Sequence, residues 1–264
     1  MSPGPRLPLL FDIPAPGSSF TDLLSTLGYT RPLDFPRDVR SVTAPVGTTV
    51  LALRYKDGVV MAGDRQATEG NLVAHREIRK VYPADSHSGV AIAGTAGLAI
   101  EMVRLFQVEL EHYEKIEGSR LSLEGKATFL ARLVRNQLPM AFQGLVVVPL
   151  FAGFDELIGR GRLYTYDVVG GRYEENDFGS TGSGASLAKS YLRTAFSDGL
   201  TADQAVNVAV GALVSAAQED TATGGPDLRR GILPIVMVID KEGLRELPDE
   251  TIRPAAEAAV EQIR

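Results

Sequence analysis

The sequence predicts an α+β fold in which two β-sheets pack face to face with helices outside both. Three observations lead there. Strand-like and helix-like segments come in blocks: strands, two helices, strands, two helices, strands, one helix. Such segregation suits layered α+β architecture better than alternating βαβ units. The strand-like segments are short and bounded by Gly, Asp and Pro turns. Finally, 264 residues at 44% hydrophobic and 23% charged are ordinary globular composition, and a chain of this size buries roughly 70% of its unfolded surface.

The elements follow in order. Residues 1–47 hold eight of the fifteen prolines, which remove N–H donors and fix φ, so most of this segment is read as irregular. Within it, "SSFTDLLSTLG" places Phe20, Leu23, Leu24 and Leu27 at i, i+3, i+4 and i+7, with Ser18 or Ser19 to cap and Gly28 to end a short amphipathic helix. Either that helix docks on something or the period is chance in a loose tail. From Thr48, "TTVLALRY", the turn "KDG" and "VVMAGD" read as a hairpin. "KVYP" and "GVAIAG" make a second strand pair. A long helix over 96–116 has Leu98, Met102, Leu105 and Phe106 on one face, and a second helix covers 122–138. Strands return in "LVVVPLFAGF", in "GRLYTYDVVGGRYEE" around its Gly-Gly turn, and in "DFGSTGSG". Helices at 184–197 and 201–218 follow, the latter started by Thr201. "ILPIVMVID", "KEG" and "LRELP" form a last hairpin, and "ETIRPAAEAAVEQI" is a terminal helix.

Composition narrows the function. The formal net charge is −6 and the pI about 5.2, which argues against a nucleic-acid partner. There are no cysteines, so thiolate nucleophiles, disulfides and cysteine metal sites are excluded. The three histidines, His75, His87 and His112, show no metal-ligand spacing, and no cofactor is called for. No apolar run reaches the roughly 18 residues of a membrane span. The N-terminus carries one basic residue, Arg6, and then prolines, unlike a secretory signal. A cytoplasmic protein is expected.

The chemistry has to come from elsewhere, and "PVGTTV" at 45–50 offers a source. If the Gly47–Thr48 bond is cut, Thr48 owns a hydroxyl and a free α-amine. An ordinary α-amine titrates at about 7.7–8.0, well suited to a general base near neutrality. The hydroxyl is then the nucleophile, and its own amine takes the proton. A glycine before it lets the backbone bend for attack on its carbonyl. Two threonines at a strand start are also common simply because Thr favours strands. Asp64, ending "VVMAGD", and Lys80 in "REIRKVY" sharpen the reading. As a buried pair beside Thr48 the cation would lower the amine and hydroxyl pKa values, and the carboxylate would hold the cation.

"GTTVLALRYKDGVVMAGDRQAT", "RKVY", "AGTAG", "GSTGSGAS" and "DTATGGPDLRRG" together resemble the β-subunits of the 20S proteasome in their actinobacterial form. The likeness covers nearly all of 48–240, without a gap from Thr48 to Ala96. Residues 1–47 resemble the family's propeptides in position and role, not in sequence. The resemblance implies an N-terminal nucleophile hydrolase fold, a four-layer αββα sandwich, with residues 1–47 removed autocatalytically at Gly47–Thr48 and 48–264 as the catalytic domain. It implies Thr48 as nucleophile and base, Asp64 and Lys80 as its electrostatic partners, and Ser183 and Asp220 orienting the amine. Thr223 stands where many active members have serine. The N–H of Gly94 would serve the oxyanion, and the backbones of Thr68 and Ala96 would hold substrate as an added strand. Ala67, Ile78, Ile92, Ala96 and Ile100 would line an apolar pocket favouring large hydrophobic residues, with Glu69 near its rim admitting some basic ones.

Two departures stand out. Gln66 replaces the basic residue common at its position, and "DRQAT" is closer to the related heat-shock protease that pairs with an ATPase ring. That relative lacks a long propeptide and the "DxxxGG" segment. As partners the resemblance implies α-subunits, further copies in heptameric rings stacked in pairs, an ATPase ring acting through the α-ring, and unfolded, sometimes tagged, protein substrates. The competing readings are an inert ring subunit of the same fold and a plain α+β binding module. Retention of Gly47, Thr48, Asp64 and Lys80 disfavours the inert subunit.

Overall fold

The structure is a computed structural model and describes residues 47–69 and 72–262. The leader helix expected at 20–28 lies outside the described residues. Two five-stranded antiparallel sheets form the centre. The first has the order β10-β1-β2-β11-β12, where β1 is Thr49–Tyr55, β2 Gly58–Gly63, β10 Phe178–Gly182, β11 Ile235–Asp240 and β12 Gly243–Glu246. The second runs β5-β6-β7-β8-β9, made of Val81–Asp85, Ser88–Gly94, Val147–Asp155, Arg160–Tyr166 and Arg172–Glu175.

Alternation along the strands sorts the core into three slabs. Val50, Ala52, Met61, Ala91, Leu150, Leu163 and Met237 fill the space between the sheets. The opposite faces of β1 and β2, with Leu51, Leu53, Val60 and Ala62, pack on helices α4 (Ala185–Ala195), α5 (Ala202–Glu219) and α6 (Asp249–Gln262). The outer face of the second sheet, with Val90, Ile92, Phe151 and Tyr164, packs on α1 (Ala96–Glu117) and α2 (Leu123–Asn136). A period of two in the strands thus sends successive residues into different slabs, and the expected four-layer αββα order results.

Most elements fall where periodicity placed them. The helix expected over 122–138 breaks at Gln137 into α2 and a single turn, α3 (Leu138–Ala141), with Pro139 in its first positions. Ser122 caps α2, accepting from the Gly125 N–H at 3.1 Å. Thr201 and Gln204 form a reciprocal capping box on α5. A two-stranded sheet, β3 (Ala67–Glu69) with β4 (Leu72–His75), had no expectation behind it. Its β4 residues are all exposed, so no burial pattern marks it in the sequence.

Candidate active site

The site is assembled at one end of the sandwich, where strands start and stop. Thr48 precedes β1 and Asp64 follows β2. Because Val50 pairs with Gly63, the Asp64 N–H reaches the Thr49 carbonyl, at 3.2 Å. Ser183 follows β10, whose Gly182 pairs with Thr49, and the Ser183 N–H donates to the Thr48 carbonyl at 2.9 Å. Gly182 has φ +110°, and a side chain there would meet the Thr48 carbonyl oxygen at 1.9 Å, so only glycine lets β10 come this close. Lys80 precedes β5, and its carbonyl accepts from the Ile92 N–H at 2.9 Å. Asp220 ends α5 as its C-terminal cap.

Thr48 is buried, with 5% exposure. Its hydroxyl donates to the Gly47 carbonyl oxygen at 2.6 Å, and its N–H donates to Ser183 Oγ at 3.3 Å. The direction of the surrounding bonds is set by one carboxylate. Asp220 Oδ2 accepts from Ser183 Oγ and from Thr223 Oγ1, both at 2.6 Å. An ionised carboxylate only accepts. Ser183 therefore spends its proton on Asp220 and turns a lone pair toward the Thr48 nitrogen. Likewise Thr223 accepts from Thr49 Oγ1 at 2.5 Å, and Thr49 Oγ1 accepts from the Gly184 N–H at 3.0 Å.

On the other side lies a buried ion pair. Lys80 Nζ donates to Asp64 Oδ1 at 2.7 Å, with 4% and 0% of the two side chains exposed. The same oxygen accepts the Thr49 N–H at 2.9 Å, which fixes the pair one residue from Thr48. Asp64 Oδ2 accepts from the N–H groups of Gln66 and Gly224, at 3.0 and 2.9 Å. Four donors on one carboxylate offset the cost of burying it. Burial pulls the Lys80 pKa below its ordinary value, against the opposing pull of Asp64 and, more weakly, Asp220.

Other expected residues are less tightly drawn together. Gly94 ends β6 with φ +130°, and a Cβ there would lie 2.2 Å from the Val146 carbonyl oxygen. Thr68 lies in β3 at an irregularity in its pairing with β4. Of the pocket residues, Ile92 is buried in the helix-side slab, Ala67 and Ile78 are half-buried, and Ala96 and Ile100 lie exposed in the first turns of α1. The Ile78 N–H donates to the Arg65 carbonyl at 2.9 Å, which brings that segment back beside the start of β3. Among the described residues no group of His, Cys, Asp and Glu side chains clusters as a metal site would. Sequence reasoning passed over the Thr49 hydroxyl, the Gly224 N–H and the two ends of Gln66. The second threonine of "GTT" and the unusual Gln66 were visible in the sequence, but not the contacts they make.

The αββα sandwich, with the buried Lys80–Asp64 pair at one end, has the fold class of the N-terminal nucleophile hydrolases. The profile of the family "Proteasome subunit" matches residues 45–227. The chain is 58% identical over 212 residues to the proteasome subunit beta of Acidimicrobium ferrooxidans, covering 80% of this chain and 78% of that protein. It is 50% identical over 262 residues to that of Streptomyces griseus, covering 97% and 92%, and 50% identical over 255 residues to that of Jonesia denitrificans, covering 94% and 83%. The chain belongs to the proteasome subunit family, as a β-type catalytic subunit of the 20S core with the activity of a threonine endopeptidase.

Proposed function

We propose that this chain is made as a precursor that cleaves itself between Gly47 and Thr48 and then hydrolyses peptide bonds with Thr48 as nucleophile. The observation that carries the reading is the Thr48 hydroxyl, buried and 2.6 Å from the Gly47 carbonyl oxygen. In self-cleavage the hydroxyl oxygen adds to the Gly47 carbonyl carbon. The C–N bond to Thr48 breaks, the hydroxyl proton passes to the released nitrogen, and Gly47 is left esterified to the Thr48 oxygen. Water then hydrolyses the ester, giving a carboxylate on Gly47 and restoring the Thr48 hydroxyl beside the α-amine freed in the first step. In each later turnover the amine takes the hydroxyl proton, the oxygen attacks a substrate carbonyl, and the leaving amine receives the proton. A second water clears the acyl ester.

The supporting residues follow from their contacts. Ser183, oriented by Asp220, accepts from the Thr48 nitrogen, and Thr223 shares that carboxylate. Lys80, held by Asp64, supplies positive charge that favours the deprotonated hydroxyl and amine. The Gly94 N–H receives the oxyanion, and the backbones of Thr68 and Ala96 hold the substrate as an extra strand. The apolar set Ala67, Ile78, Ile92, Ala96 and Ile100 favours a large hydrophobic residue before the scissile bond.

Residues 1–47 act as the propeptide. The chain assembles into the proteasome core with other subunits. In finer detail, it forms heptameric rings stacked in pairs between α-subunit rings, in the cytoplasm, and receives unfolded or tagged proteins from an ATPase ring. The test is hydrolysis of short peptides ending in Leu, Tyr or Glu before a reporter, by wild-type particles and by Thr48→Ala. Hydrolysis of the Leu and Tyr peptides that is lost in Thr48→Ala supports the reading. Hydrolysis that survives the substitution overturns it.

A further inference from the structure

Gln66 stands where the two halves of the site meet. Its carbonyl accepts from Lys80 Nζ at 2.5 Å. Its N–H donates to Asp64 Oδ2 at 3.0 Å. Its side-chain Nε2 crosses to the other half and donates to the Thr221 carbonyl at 2.9 Å, 155 residues away along the chain. Thr221 follows Asp220, whose carboxylate directs Ser183 and Thr223, and the same short segment ends at Gly224, whose N–H is the fourth donor to Asp64. The two stretches pack closely: a Cβ on Gly224 would lie 2.6 Å from the Gln66 Cβ. A segment leaving a helix end with few strand pairings is held mainly by such cross-links.

We propose that Gln66 is a positioning residue. Its side-chain amide clamps the Asp220–Gly224 segment against the Asp64–Lys80 pair, so that Ser183 keeps its lone pair on the Thr48 nitrogen while Lys80 keeps its place. Gln66 acts through these groups and touches neither substrate nor the Thr48 oxygen. The proposal rests on the reading of Thr48 as nucleophile. It goes beyond that reading in giving a role to a side chain that the reading leaves unassigned.

The chemistry required of residue 66 is an N–H donor of sufficient reach, which glutamine and arginine both supply. Methionine has nearly the same length and shape as glutamine and no donor. The experiment compares Gln66→Met and Gln66→Arg with wild type in assembled particles, reading kcat and KM on a short hydrophobic peptide. The rate of precursor cleavage and the thermal midpoint are followed alongside. The loss of one hydrogen bond, exposed but tying the two segments together, predicts a kcat lowered roughly three- to tenfold in Gln66→Met. KM should stay within about twofold, because the peptide is held by other backbone groups, and precursor cleavage should slow in parallel. Gln66→Arg should recover most of both rates. A wild-type kcat in Gln66→Met would overturn the proposal. So would a raised KM at unchanged kcat, which would make Gln66 a substrate contact, or a defect that Gln66→Arg does not repair. Failure of the underlying reading shows separately, as hydrolysis that persists in Thr48→Ala.

Discussion

The Ser183 hydroxyl faces two ways, donating to Asp220 at 2.6 Å and accepting from the Thr48 nitrogen at 3.3 Å. That polarity is imposed by the carboxylate and would persist when the Thr48 nitrogen becomes an amine. An amine needs a free lone pair to act as base, and an N–H held by Ser183 aims that lone pair. Ser183→Ala should therefore lower kcat by about tenfold or more, with little change in KM. Asp220→Asn should do at least as much, because an amide can donate and would let Ser183 reverse. Steady-state kinetics on a hydrophobic peptide check both.

Gly47 has no room for a side chain. A Cβ there would lie 2.3 Å from the Ala222 Cβ and 2.4 Å from Thr68 Oγ1, distances that force something to move. Gly47→Ala should slow precursor cleavage by an order of magnitude or more, read as the fraction of full-length chain over time. A chain expressed with Thr48 already at its N-terminus should be indifferent to this effect.

Lys80→Met should abolish hydrolysis and also cost about 3–5 kcal/mol of stability, since it strands the buried Asp64 carboxylate. The pH dependence of that stability has a definite sign. The folded Lys80 pKa lies below its ordinary 10.5, so over the interval between the two values the unfolded chain binds more protons. Wild-type stability relative to Lys80→Met should then rise with pH through that interval, up to about 10.5. Denaturation at a series of alkaline pH values checks the slope, and a gap that narrows there would contradict the assigned burial.

A second, partly buried pair joins α2 to β5, where Lys126 Nζ meets Asp85 Oδ2 at 2.5 Å. Burial pushes the Asp85 carboxyl up, but Lys126, the His87 N–H and the Ser88 hydroxyl outweigh it and hold its pKa below 3.8. A depressed acid stabilises the fold above its unfolded pKa, and the contribution is lost as pH falls through the folded value. Asp85→Asn should therefore cost about 2 kcal/mol at neutral pH, and the deficit should shrink below about pH 3.8. Thermal melts from pH 7 down to pH 3 test this.

Much of this protein was legible in its residues, for physical reasons that differ by element. α1 and α5 announced themselves because a face of apolar residues repeats over many turns and a capping threonine starts α5. The hairpin β1–β2 was legible because two continuous apolar runs, buried on both faces, flank a Lys-Asp-Gly turn. The β3–β4 sheet was not, since its outer strand buries no side chain and so leaves no pattern. At the site, Asp64 and Lys80 stood out as charges at the seams of apolar strands. The donors that complete Asp64 could not be seen, because the Gly224 N–H comes from 160 residues away and every residue but proline carries such a group. Thr49 was hidden for a similar reason. A strand threonine looks the same whether its hydroxyl meets water or, as here, is fully buried against Thr223. Gln66 was noticed as a departure, and only the fold revealed what its amide reaches.

The central claim is that the bond between Gly47 and Thr48 is cut by the Thr48 hydroxyl. The intact mass of this chain, taken from particles assembled with proteasome α-subunits, tests it most directly. The expected result is a chain lighter by residues 1–47, beginning at Thr48, and a full-length chain when Thr48 is alanine. A full-length wild-type chain in an assembled, peptide-hydrolysing particle would contradict it.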